Sequence, residues 1–110
     1  MKTDRELLKL AAKAAGGIAS DGLGGCYDME REAKWNPLTD DGDALRLAVQ
    51  LGLLIDVRYT DPVIAQYNCV IYWLTPLKSA RIELGDLEPD PLAATRRAIT
   101  RAAAELGSQS

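Results

Sequence analysis

The chain has 110 residues, a length that matches one domain able to bury roughly two-thirds of its unfolded surface. Its 47% apolar and 26% charged residues exclude a disordered chain, and the formal charge of −3 argues against a dedicated nucleic-acid binder, which normally shows a net basic surface. Histidine is absent, so the commonest general base and metal ligand are missing and any chemistry would have to run on carboxylates, Lys, Tyr, Ser/Thr or Cys.

Thr3 and Glu6 have the spacing of a capping box. Leu7, Leu8, Leu10, Ala11, Ala14 and Ala15 follow at helical intervals opposite Lys9 and Lys13, predicting a first helix over about 4–15. Gly16 and Gly17 end it. The first residues open straight into this pattern, not into an export signal, and the two cysteines, Cys26 and Cys69, form no CxxC motif. The expectation is a cytoplasmic protein with free, largely buried thiols. The longest apolar stretch, 69–74, is far too short to cross a bilayer, so no membrane association is expected.

Ser20, Asp21, Gly22, Gly24 and Gly25 read as a flexible loop. Residues 26–35 interleave Tyr27, Met29 and Ala33 with charges, a pattern taken as mostly loop or at most a short strand. Asn36, Pro37, Thr39, Asp40, Asp41 and Asp43 are turn formers and N-cap residues, and they place the start of a second helix near Asp40; Gly52 closes it. The period then changes to alternation. Strands are expected over 53–59, where Leu53, Ile55, Val57 and Tyr59 share a face, over 67–74, apolar on both faces, and over about 80–84. A turn at Asp61 and Pro62, the stop at Pro76 and the short connections imply an antiparallel meander. Asp90 and Pro91 start a third helix running to about Leu106, with a narrow apolar stripe of Leu92, Ile99, Ala102, Ala103 and Leu106; residues 107–110 are expected to fray.

The fold class is therefore α+β, one domain over 1–110, with a three-stranded antiparallel sheet sandwiched between helices in the order α-α-β-β-β-α. Helices split across both faces of the sheet are expected, with all helices on one face as the alternative.

Three stretches carry a resemblance: Trp35-Asn36-Pro37-Leu38, Asp41-Gly42-Asp43-Ala44 leading into a Leu-rich helix, and the closing run from Ala93 to Gly107. Together they resemble the phage ABA sandwich family, small accessory proteins of bacteriophages and prophages with a sheet held between helices. The resemblance covers most of the chain from Trp35 onward and implies a phage setting, not a mechanism.

Trp35 and Asn36 before a helix start offer an indole face for stacking and an amide for pairing, a pocket suited to an aromatic base. The plainer alternative is that Trp35 anchors the helix start and Asn36 shapes the turn before Pro37. Arg96, Arg97 and Arg101 form a cationic edge on the third helix that could grip phosphates, or else a solvated face. Asp40, Asp41 and Asp43 lack the spacing of a calcium loop and sit where a helix N-terminus wants negative charge, so no metal is expected. The glycines of 16–25 lack the Lys-Ser/Thr that closes a phosphate loop.

No cofactor and no catalytic residue is expected. The functional expectation is a phage accessory binding protein that counteracts host defence, by sequestering a nucleotide-type signal or by occluding a host protein. Trp35 and Asn36 would contact the base, and Arg96 and Arg97 the phosphate. The alternative is a structural or interaction module, a homodimer for example, that uses the apolar surface around Tyr67, Tyr72 and Trp73 and takes no small ligand.

Overall fold

The structure is a computed structural model describing residues 3–20, 25–61, 66–74, 79–83 and 90–108, with side-chain surroundings for 3–20, 25–55, 90 and 92–108. The first helix, α1 (Asp4–Ala15), begins as its capping residue requires: the Glu6 amide donates to the Thr3 hydroxyl at 3.2 Å. Gly16, at φ +73°, ends it, and its amide donates to the Ala12 carbonyl. In the second helix, α2 (Asp41–Leu51), the Asp40 carboxylate accepts from the Asp43 amide at 2.8 Å. Its C-terminus is a Schellman turn: Leu53 donates to the Ala48 carbonyl and Gly52, at φ +66°, to that of Val49. The third helix, α3 (Pro91–Ser108), starts at Asp90, whose carboxylate accepts from the Leu92 amide.

A segment read as mostly loop folds into a small sheet. Strands β1 (Ile18–Ser20), β2 (Cys26–Asp28) and β3 (Ala33–Trp35) pair antiparallel in that order, with Ala19 opposite Tyr27 and Cys26 opposite Trp35. The strands are only three residues long, too short for alternation to register. The turn between β2 and β3 is held by the Asp28 carboxylate, which accepts from the Glu30 and Arg31 amides, and by Glu32 at φ +54°. The rest of the glycine-rich stretch, 21–24, lies outside the described residues, as do Pro62, Pro76 and Leu84.

The expected antiparallel meander is present as β4 (Leu54–Asp61), β5 (Gln66–Leu74) and β6 (Ser79–Glu83). Ile55 faces Ile71, and Ile71 faces Ile82, which fixes the register across all three strands. Among the described residues the helices do not straddle this sheet. α3 packs across β5 and along its neighbours, while α1 and α2 lie against α3, so α3 separates the sheet from the other two helices. This is the arrangement with the helices to one side.

The position of α3 explains its burial. Instead of one narrow stripe, Ala94, Ala98, Ile99, Ala102, Ala103 and Ala104 are all buried, and so is Thr100, whose hydroxyl donates to the Arg96 carbonyl at 2.8 Å. Leu92, expected in the stripe, is exposed instead. The core joins Leu8, Ala11 and Ala15 of α1, Trp35 of β3, Ala44, Leu47 and Ala48 of α2, and the alanines of α3. Small side chains let the helix backbones approach closely. The C-terminal turn does not fray at Gly107: it is buried within α3 against the backbone of Leu10.

Candidate functional site

The four residues expected to hold a nucleotide each have a structural partner. Trp35 is 5% exposed and belongs to the core, and what remains accessible of it borders a small cleft of about 280 Å³ shared with Gly17, Asp28, Arg31, Arg46 and Gln50. Asn36 shapes the turn into α2: its side-chain oxygen accepts from the Leu38 amide at 3.0 Å, and its carbonyl accepts from the Thr39 and Asp40 amides. Arg96 does lie beside the Trp35–Leu38 segment, but as a strap. Its Nε donates to the Leu38 carbonyl at 2.9 Å and its guanidinium pairs with Asp41. Arg97 turns the other way and pairs with Asp4 of α1 at 3.2 Å. The structure therefore joins Arg96 to the segment holding Trp35 and Asn36, and separates Arg97 from it.

The acidic turn of α2 is likewise accounted for. Asp43 is 4% exposed, and its carboxylate accepts from the Asn36 amide at 2.9 Å and from the guanidiniums of Arg31 at 3.0 Å and Arg46 at 2.7 Å. This one buried carboxylate ties the β2–β3 turn, the start of α2 and the Trp35–Asn36 segment together. Asp40 caps the helix and Asp41 holds Arg96, so all three carboxylates already have cationic or amide partners. No group of three or more His, Cys, Asp or Glu among the described residues is placed to hold a metal ion.

A different surface has the character of a binding site. A groove of about 660 Å³ lies between α1 and the small sheet, lined by Arg5, Lys9, Leu10, Ala12, Lys13, Ile18, Ser20, Gly25 and Cys26. Arg5, Lys9 and Lys13 are spaced four residues apart and therefore follow one another at single-turn intervals. Leu10, Ala12 and Ile18 supply an aliphatic lining, and no acidic side chain lines it among the described residues. Arg5 and Lys9 have no ion pair among the described residues, in contrast to Arg31, Arg46, Arg96 and Arg97, each bound to a carboxylate.

The signal for this site is in the sequence, as Arg5-x3-Lys9-x3-Lys13 on the side of α1 away from its buried face. On sequence alone such a run reads as a solvated helix face. What makes it a groove is the wall formed by Ile18, Ser20, Gly25 and Cys26, at the β1–β2 pair that short strands conceal. A smaller cleft lies at the start of α2, with Arg31, Lys34, Asn36, Thr39 and Arg46 around Asp40 and Asp43; its two carboxylates offset most of its positive charge.

No family model, curated protein or solved structure matches the chain. No helix among the described residues is long and apolar enough to cross a membrane.

Proposed function

We propose that this protein is a binding protein that holds an anionic partner in the α1 groove and works by occupancy, without turnover. The observation carrying this reading is the file of Arg5, Lys9 and Lys13 above an aliphatic lining that has no acidic residue among those described. Charge of one sign focused in a concavity raises the local concentration of the opposite sign and speeds encounter. The family resemblance suggests a phage setting, and within it the reading is an accessory protein acting against host defence in the host cytoplasm. Sequestering a nucleotide-type signal and occluding a host protein both fit an anion-binding groove, whereas Trp35, Asn36, Arg96 and Arg97 are better understood as fold supports. Calorimetric titration of inorganic polyphosphate and ATP into the wild type and into the Arg5→Glu/Lys9→Glu variant tests the reading. At least a tenfold loss of affinity is expected in the variant; equal affinity in both proteins would contradict it.

A second reading, a self-associating interaction module, is favoured by one observation. Leu45 and Val49, one turn apart on α2, are 60% and 73% exposed, and Leu54 at the start of β4 is 61% exposed. Sedimentation of the wild type and Val49→Lys decides it: a concentration-dependent dimer lost in the variant supports it, and a monomer at every concentration removes it.

A further inference from the structure

The lining of the α1 groove narrows its occupant beyond an anion, an inference that rests on the binding reading above. The three cationic positions span about 12 Å along the helix axis, two full turns and much more than one phosphate group covers. Beside them the lining includes the aliphatic side chains of Leu10, Ala12 and Ile18, and Ser20, Gly25 and Cys26 complete the opposite wall. No aromatic ring lines the groove among the described residues, so the stacking platform that holds bases in single-stranded nucleic acids and nucleotides is missing from the lining seen. The surface is a concavity with walls on α1 and β1–β2, unlike the flat or convex apolar face with which a peripheral helix enters a bilayer.

We infer that the groove receives an acidic amphipathic helix of a partner protein. Asp or Glu residues at intervals of three or four along that helix would repeat every 4.5–6 Å or so, close to the rise of about 6 Å that separates Arg5, Lys9 and Lys13. Its aliphatic residues on the adjoining edge would cover Leu10, Ala12 and Ile18, as in other helix-in-groove complexes. The charges set register and encounter rate, and the aliphatic contact supplies the area removed from water. Arg5 and Lys9, having no carboxylate partner among the described residues, are spared the exchange of one ion pair for another.

The test is selection of a display library of random 16-residue peptides on the intact protein, with counter-selection on Lys9→Glu/Lys13→Glu. Both lysines are exposed, and circular dichroism verifies that the variant is folded. The expected result is a set of peptides with acids three or four residues apart and aliphatic residues on the adjoining edge. They should bind at least tenfold more weakly to the variant and regain affinity when their own acids are exchanged for lysine. Peptides indifferent to the charge reversal would overturn the inference. So would recovery of no peptide while polyphosphate, a 20-nucleotide single strand or phosphatidylserine vesicles bind the wild type and not the variant; the binding reading would then survive with another occupant. Failure of every probe would remove both.

Discussion

The backbone of α3 at Gly107 lies directly against the Leu10 carbonyl of α1: a Cβ built on Gly107 overlaps the carbonyl oxygen and comes within 2.9 Å of the carbonyl carbon. α1 also forms one wall of the cationic groove, so this contact fixes the helix that presents Arg5, Lys9 and Lys13. The obstacle is backbone, which cannot rotate aside as a side chain can. Gly107→Ala should therefore destabilise the protein by about 3 kcal/mol, the upper end for an overpacked site. That corresponds to a fall in Tm of at least about 10 °C. A thermal melt unchanged within a degree would show that the two helices can separate without cost.

Asp43 is the second structural hub. Asp43→Asn keeps the volume but removes the charge that gathers Arg31 and Arg46 and weakens the bond from the Asn36 amide. Both guanidiniums are nearly half exposed and recover part of their hydration, so the expected loss in urea denaturation is about 2–3 kcal/mol and not the larger figure for a fully buried pair. An Arg31→Ala change on top of Asp43→Asn should add little, because the pair is already broken.

Glu32 occupies a left-handed conformation, φ +54°, in the β2–β3 turn. Side chains pay about 1–2 kcal/mol there, partly offset by the backbone entropy that glycine loses on folding. Glu32→Gly should raise stability by about 0.5–1 kcal/mol in urea denaturation. A loss of stability would indicate that the Glu32 side chain makes a compensating contact.

Trp35→Phe tests the base-stacking expectation against the fold-support reading. Trading one buried aromatic for a smaller one should cost about 1–2 kcal/mol of stability and leave the affinity for any anion bound at the α1 groove unchanged. A selective loss of nucleotide affinity at full stability would return Trp35 to the binding site.

The elements with strong local chemistry were legible in advance. Thr3, Asp40 and Asp90 cap helices where their spacing says, and the alternation from Leu54 through Glu83 gives three paired strands. The small sheet was hidden because three-residue strands carry no period, and Asp28 and Glu32 shape its turn without an Asn-Gly or Asp-Gly signature. The same blind spot concealed the groove, since Arg5, Lys9 and Lys13 look like a solvated face until β1 and β2 stand opposite them. Trp35 is ambiguous for another reason. Its residue type suits a core and a pocket equally well, and sequence does not state burial; in the structure it is a core residue that also borders a small cleft.

Amide chemical shifts recorded while a groove-dependent acidic peptide is titrated locate its site residue by residue. Perturbations should gather at residues 5–13, 18–20 and 25–26 and weaken as salt is raised and screens the cations. Perturbations gathered at Trp35, Asn36, Arg96 and Arg97, with α1 silent, would contradict binding in the α1 groove.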